Sequence, residues 1–181
     1  MVLTGTSKTK SLVYTALFAV LIVVCTWIQI PAAVPFTLQT FAVFAATLML
    51  GWKRALAAVA VYVALGAVGL PVFSGFRGGL GALAGPTGGY IVGFFFIALS
   101  FLLTKIKPGS RILEIASLII GLVICYAFGT AWFVVVYAKN GGSMSFASAL
   151  ALCVLPYIIP DLLKLALAFF LTAKVKKRLT I

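Results

Sequence analysis

Two oppositely charged residues stand inside the last apolar run of the chain, in a Pro-Asp-Leu-Leu-Lys segment. Asp161 and Lys164 are three positions apart, which places them on one face of a helix. At 1.5 Å per residue, Lys164 lies about 15 Å and Asp161 about 20 Å from Lys174, where the basic tail begins. At that depth neither charge reaches the nearer membrane surface easily, and a charge at mid-bilayer costs about 2.5–3.5 kcal/mol.

This pair could bind a ligand, because the carboxylate can accept an N–H while the ammonium donates to a carbonyl. A polar, cyclic, amide-like group would match both partners at once. Pro156 and Pro160 are expected to kink the helix and free backbone carbonyls beside the acid. The alternative is a mutual ion pair that only fixes the last helix in its bundle.

Two further segments contain polar groups that need partners. Gln39, within residues 34–41, is predicted to lie one turn into the membrane, where an unpaired amide is costly. Residues 69–90 are rich in glycine and contain one cation, Arg77. The stretch 72–85 is expected to be a lid, with an apolar underside formed by the side chains of Phe73, Phe76, Leu80 and Leu83. It lacks the G-x-x-x-x-G-K-[ST] pattern and a preceding strand, so a nucleotide-binding loop is disfavoured.

The composition requires a lipid environment for these elements. Hydrophobic residues make up 64% of the 181 positions and charged residues only 9%, whereas soluble domains are about 25% charged. The net charge of +12 comes from basic residues placed between apolar runs. That placement indicates membrane topology rather than nucleic-acid binding. With no histidine and three scattered cysteines, no metal site, cofactor or catalytic set is predicted.

The hydropathy pattern predicts an all-α integral membrane bundle of six transmembrane helices in a single domain, 1–181. The predicted spans are residues 11–30, 36–52, 55–70, 86–104, 112–138 and 146–173. The first is interpreted as a retained helix rather than a cleaved signal. With six spans, eleven basic residues share one side and only Arg77 and Lys139 lie on the other. Basic loops stay in the cytoplasm, so both termini are predicted to be cytoplasmic.

Three segments together resemble a known family. V-P-F-T-L-Q-T-F, G-L-P-V-F followed by G-P-T-G-G-Y, and P-D-x-x-K occur in that order, and they resemble the BioY family. Its members are the biotin-binding S components of energy-coupling factor (ECF) transporters. The resemblance implies that Asp161 and Lys164 engage the ureido ring of biotin. The candidate ligand-binding residues are therefore Asp161, Lys164, Gln39, Arg77, Gly85 and Tyr90.

The resemblance also implies partners: a transmembrane T component and two cytoplasmic ATPases. S components have an A-x-x-x-A patch on the first helix, which reads here as Thr15-x-x-x-Ala19. Thr15, Ala16 and Ala19 are therefore the predicted docking residues, since small side chains allow close helix approach. Thr15 departs from the family pattern.

Three other classes of function remain open at this point. A stand-alone secondary transporter or channel for a small polar or anionic solute could use Asp161 for proton coupling. A structural partner subunit could use the glycine-rich loop as a docking surface. An intramembrane enzyme is disfavoured, because one buried acid without histidine provides no evident acid–base pair.

Overall fold

The computed structural model describes residues 8–32 and 34–178, which are mostly helical. The elements in chain order are α1 (Lys8–Trp27), β1 (Gln29–Ile30), β2 (Phe36–Thr37), α2 (Gln39–Leu50), α3 (Trp52–Ala67), α4 (Leu80–Ala84), α5 (Gly88–Ser100), a 3₁₀ turn (Phe101–Lys105), α6 (Arg111–Lys139), α7 (Phe146–Cys153) and α8 (Leu155–Arg178). The first predicted span begins at residue 11, whereas α1 begins at Lys8; residues 1–7 and the last three residues lie outside the described range.

Membrane-length helices account for only part of the six predicted spans. Within residues 8–32 and 34–178, three stretches are long and apolar enough to cross a bilayer: Lys8–Trp27, Gly88–Lys105 and Arg111–Lys139. A fourth is formed if the pair α7 and α8, bent by 44°, is one span. The predicted fifth span, 112–138, is confirmed within one residue by α6. In contrast, α2 has 12 residues, or about 18 Å, which is short of a bilayer core of about 30 Å.

A small hairpin shortens the first two predicted helices. β1 and β2 pair antiparallel, with Gln29 opposite Thr37 and Ile30 opposite Phe36. The predictions that helix one reaches Ile30 and that helix two begins at Phe36 are therefore wrong. Proline lacks a backbone donor and restricts the preceding residue, so neither helix extends to Pro31 or Pro35.

The boundary between α2 and α3 is a glycine in the left-handed region. Gly51 has φ 76° and lies directly between the two helices. Sequence reasoning placed Lys53 and Arg54 in a loop after helix two, but they lie in the first turn of α3. A residue without Cβ adopts positive φ at low cost, so the chain turns at Gly51 and the helix restarts at once.

The last predicted span is broken, but not at its prolines. Val154 separates α7 from α8, and Pro160 lies inside the continuous helix α8. Neither Pro156 nor Pro160 breaks α8, and Pro156 occupies the first turn, where a helix tolerates proline. Pro160 still removes one helical donor, the one that would serve the carbonyl of Pro156.

The core is built around α2, whose sides are covered by other helices. Ala42, Val43, Phe44 and Ala46 are all fully buried, and α2 packs against α1, α3, α5 and α8. The second major packing is α5 on α6. All three cysteines are buried and none forms a disulfide, so they serve as small apolar side chains in the interior.

Basic residues from distant elements meet at one end of the bundle. The ammonium groups of Lys53 and Lys105 lie 5.4 and 5.1 Å from the ring centroid of Trp52. The start of α3 and the end of the 3₁₀ turn are therefore neighbours. This proximity matches the prediction that the loops after the second and fourth spans share a side.

Candidate ligand-binding site

The oppositely charged pair of α8 forms the polar centre of the site. Lys164 Nζ donates to Asp161 Oδ1 at 2.8 Å, and the residues are only 7% and 4% exposed. Because the two residues are three positions apart, their side chains lie on one face of α8, and their burial shows that this face is turned into the bundle. Burying both charges requires that each be compensated, since an isolated buried charge is very costly.

Two hydroxyl groups from other helices donate hydrogen bonds to the Asp161 carboxylate. Thr40 Oγ1, on α2, donates to Asp161 Oδ1 at 2.8 Å. Tyr126, on α6, donates its phenol proton to Oδ2 at 2.5 Å. An ionised carboxylate offers about four lone-pair sites, so these three hydrogen bonds leave room for one more donor. Asp161 thus joins α2, α6 and α8 and keeps one acceptor position.

Aromatic rings cover the ammonium side. Lys164 Nζ lies 4.2 Å from the centroid of the Phe36 ring, within the range of a cation–π contact. Phe36 stacks on Tyr157, whose hydroxyl donates to the backbone carbonyl of Val34. An ammonium has three N–H donors. Within the described ranges, Lys164 donates one hydrogen bond, to Asp161.

Two adjoining cavities meet beside this pair. The smaller, of about 60 Å³, is lined by residues that include Asp161, Lys164, Thr40 and Tyr126. The larger, of about 340 Å³, is lined by residues that include Arg77 and Gly85. The two share the following residues: Val34, Pro35, Gln39, Tyr90 and Phe94. A molecule in the larger cavity could therefore extend a small polar ring toward the pair.

Gln39 lies at the junction of the two cavities and has its own partners. Its Nε2 donates to the hydroxyl of Tyr62 at 2.6 Å, and its Oε1 accepts from Thr37 Oγ1 at 3.1 Å. The prediction that a buried amide at this position needs partners is confirmed: the residue is 7% exposed and bonded at both ends.

Tyr90 and Gly85 line the wall formed by α5 and the segment before it. The Tyr90 hydroxyl lies 3.0 Å from Thr130 Oγ1, and its ring packs closely over Gly129, where a Cβ would come within 2.2 Å of it. The carbonyl of Gly85 accepts from the indole Nε1 of Trp132 at 3.0 Å. Both predicted residues are thus held by α6.

The glycine-rich loop is more structured than the sequence indicated. Phe73 and Arg77 exchange both backbone hydrogen bonds, at 2.9 and 3.3 Å, around a tight turn. The Phe73 ring is 2% exposed and occupies a notch at Gly66, where a Cβ would lie 1.9 Å from the ring. Leu83 also packs inward, but Phe76 and Leu80 are 63% and 71% exposed. The predicted apolar underside is therefore wrong for Phe76 and Leu80.

Arg77 stands at the outer end of the larger cavity. Its side chain is exposed and lines that cavity. The backbone of Arg77 is paired with Phe73, whereas its guanidinium makes no hydrogen bond or ion pair with any described residue. It can therefore reach an anionic group without first breaking an internal interaction.

The three predicted docking residues on α1 do not share one surface. Ala16 is exposed, Thr15 is half-buried and donates to the carbonyl of Ser11 at 2.9 Å, and Ala19 is 1% exposed within the core. Ala19 lies in the main hydrophobic core with Phe18, Ile22 and Val23, although it is only three positions from the exposed Ala16. A partner cannot reach its methyl group in this conformation.

Sequence reasoning missed three residues that contact the charged pair. Thr40 directly follows Gln39 in a segment already singled out, and Phe36 belongs to that segment too. Tyr126 stands in a long apolar run, where its phenol is an ordinary amphipathic tip. Only the fold places it against Asp161.

These features define a helical membrane protein with a charged, ligand-sized pocket inside its bundle. The profile of the BioY family matches residues 2–181. The biotin transporter BioY of Thermotoga maritima is 41% identical over 169 residues, covering 93% of this chain and 96% of the relative. The probable biotin transporter BioY of Pyrococcus horikoshii is 36% identical over 170 residues, covering 93% and 98%. This chain belongs to the BioY family.

Solved structures give the same picture of the fold. The crystal structure at 2.1 Å of the S-component for biotin from an ECF-type ABC transporter superposes with a TM-score of 0.83 at 26% identity, covering 97% of this chain and 95% of that one. A second S component of a bacterial ECF transporter, 16% identical with a TM-score of 0.53, shares the fold alone.

Proposed function

We propose that this protein is the substrate-capture subunit of an ECF-type vitamin transporter and that it binds biotin in the two adjoining cavities. The observation that carries the proposal is the buried Asp161–Lys164 pair, which retains one acceptor position and further N–H donors beside an open cavity. Biotin's ureido ring offers two N–H donors and one carbonyl acceptor. It is complementary to that pair.

The rest of biotin fits the larger cavity in the same orientation. Ligand pockets typically measure about 300–1,000 Å³, and the larger cavity measures about 340 Å³. The thioether ring and valeryl chain would lie along Phe94, Tyr90 and the backbone near Gly85. The terminal carboxylate would then face Arg77 at the outer end. Gln39 would contact the ligand between the two ends.

The proposal includes six membrane crossings with both termini in the cytoplasm. The short helices α2 and α3 would each count as a crossing within the bundle, protected from lipid by neighbours. Support comes from the basic end, where Lys53 and Lys105 flank Trp52, since cytoplasmic loops carry excess Lys and Arg. Arg77 and the cavity would open to the outside.

Uphill transport would require partners: a transmembrane T component and two cytoplasmic ATPases. We place the docking surface on the exposed face of α1 around Ala16, with Thr15 at its edge. Ala19 is omitted because it is buried. Small side chains on that face permit the close approach that helix pairs in lipid require.

The deciding experiment measures equilibrium biotin binding to purified Asp161→Asn protein. Asparagine keeps the shape but removes a charge-assisted acceptor, which is worth about 1.5–3 kcal/mol, so affinity should fall about tenfold to a hundredfold. Glu114→Gln, the same chemical change at the only other acid, is the matched control and should bind normally. Unchanged affinity in folded Asp161→Asn protein would reduce the pair to a structural ion pair.

A second measurement separates capture from self-sufficient transport. The chain alone, reconstituted in vesicles with labelled biotin, should bind biotin without concentrating it. Accumulation driven by a proton gradient without partners would favour the secondary-transporter alternative. Mass spectrometry of gently purified protein identifies the ligand directly, and no retained small molecule would favour a structural subunit.

A further inference from the structure

A third cavity lies at the opposite end of the bundle from Arg77, between the start of α6 and the end of α8. Its volume is about 690 Å³, and its lining includes Arg111, Glu114 and the tail lysines Lys174, Lys176 and Lys177. It shares no residue with the two cavities of the ligand site. Biotin capture does not explain it.

Positive charge dominates the rim of this cavity. Four cations face one carboxylate, that of Glu114. Three of the cations are exposed and Lys176 is half-buried. Among the described residues, none of the four forms an ion pair. Their charge is thus available to an external anion.

The start of α6 adds to this potential. Ser110 caps the helix by accepting from the amide of Leu113, so one of the orphan amides is satisfied internally. The helix has 29 residues, and the positive end of its dipole lies at the rim beside Arg111. Helix N-termini favour phosphate and other anions.

The other side of the cavity is apolar. Leu48 and Phe169 contribute to the lining and pack with the core. Phe170, also in the lining, is 65% exposed, and on the same helix Leu167 is 50% exposed. An apolar wall therefore continues from the charged rim onto the lipid-facing surface of α8.

We infer that this cavity binds one anionic phospholipid, with the phosphate headgroup among Arg111, Lys174, Lys176 and Lys177 and an acyl chain along Phe170. A ring of cations suits the headgroup, and the continuous apolar wall suits the chain. Basic pockets between membrane helices bind anionic lipid headgroups for the same reason. A soluble anion would use the cations but leave the apolar wall without a role.

The test titrates phosphatidylglycerol into the full chain in neutral detergent, with phosphatidylcholine of the same acyl chains as comparison. Binding is read by native mass spectrometry and by the thermal unfolding midpoint. Arg111→Gln/Lys174→Gln should weaken phosphatidylglycerol binding about 30-fold, which corresponds to about 2 kcal/mol, or about 1 kcal/mol per cation. Added salt should weaken it in the parent protein as well.

A matched control removes two charges at the same end of the bundle without touching the cavity. Lys107→Gln/Arg178→Gln changes one residue before α6 and one in the tail, and neither lines the cavity. Its phosphatidylglycerol affinity should stay within about twofold of the parent, by contrast with about 1 kcal/mol for each contacting cation. The charge-preserving Arg111→Lys/Lys174→Arg variant should restore binding, and biotin affinity reports that each variant is folded.

Four results would overturn the inference. Equal binding of phosphatidylcholine, or an equal loss in both double variants, would show that charge at this cavity is not selective. Equal stabilisation by glycerol 3-phosphate would assign the cations to a soluble phosphate. If Arg111→Gln/Lys174→Gln bound phosphatidylglycerol normally but no longer assembled with the T component, the cavity would be a protein contact instead.

Discussion

Lys164 and Arg77 place positive charge at the two ends of the ligand cavities in opposite ways. Lys164 is 7% exposed and is compensated by Asp161 and the Phe36 ring. Arg77 is exposed, and within the described residues its guanidinium has no partner. A cation inside the bundle must be compensated before any ligand arrives, whereas a cation at the mouth is hydrated until one arrives. The inner end is therefore preorganised, and the outer end contributes mainly through charge.

The largest effect is expected at the inner end, from Lys164→Met. This change leaves the Asp161 carboxylate buried without its cation, and such losses cost about 3–5 kcal/mol of stability. Biotin binding should be lost as well. The loss of stability is measured by denaturant unfolding in detergent, and the loss of affinity is measured by equilibrium biotin binding.

The double variant Asp161→Asn/Lys164→Met is the control for this first prediction. Removing both charges should restore much of the stability, because no uncompensated charge remains, but it should not restore binding. Recovery of biotin affinity in the double variant would contradict the ligand role of the pair.

Tyr126→Phe should have an intermediate effect, since it deletes one hydrogen bond to the carboxylate and leaves the ion pair intact. A hydrogen bond to a charged group contributes about 1.5–3 kcal/mol, so biotin affinity should fall about tenfold or more. Tyr137→Phe, on the same helix, is the control: the Tyr137 hydroxyl makes no hydrogen bond among the described residues, so this variant should bind biotin normally. Similar affinities for the two variants would argue against preorganisation.

Arg77→Ala should have a smaller effect that depends on ligand charge. An exposed ion pair contributes about 0.2–1 kcal/mol, so biotin should bind about fivefold more weakly at most, while biotin amide should bind almost unchanged. Raising the ionic strength should erase the difference. Equal losses of affinity for biotin and biotin amide would mean that Arg77 orders the loop instead. Lys139→Ala, at another basic position, is the control and should leave both affinities unchanged.

Ala16→Trp should have no effect on biotin affinity while reducing assembly with the T component and ATP-driven uptake. The residue is exposed on α1, away from both ligand cavities. Ala19→Trp is expected instead to destabilise the fold, because Ala19 is buried and overpacking a core costs about 1–3 kcal/mol. Intact assembly of the Ala16→Trp protein would remove α1 as the docking face.

The inner end of the site was largely predictable and the outer end only partly. Asp161 and Lys164 could be found because charged side chains are rare inside membrane helices and usually face the bundle interior. Tyr126 could not, since a phenol is common in membrane helices and its contact joins positions 35 residues apart. The composition indicated the glycine-rich loop that contains Arg77, but the exposed orientation of Phe76 and Leu80 depends on a turn that composition does not define.

The same distinction applies to the fold. Hydropathy predicted both ends of α6 within one residue, because a long apolar run with a capping residue at its start defines a single continuous helix. It did not predict the hairpin around Ile30 or the break at Val154, because backbone pairing and local packing determine the structure at those positions. The predicted second span, 36–52, is longer than α2. A helix this short is possible inside the bundle because other helices bury it, and hydropathy alone does not reveal that burial.

The notch at Gly66 has a kinetic consequence. Any opening of the loop wide enough to withdraw Phe73 exposes a ring that is now 2% accessible, at a cost of about 1.5–3 kcal/mol. The withdrawn state would then hold only about 1–10% of the molecules at rest. If the loop opens to admit the ligand, the ligand would enter and leave only through this minor state, and it would exchange more slowly than in a protein without the contact between Phe73 and Gly66.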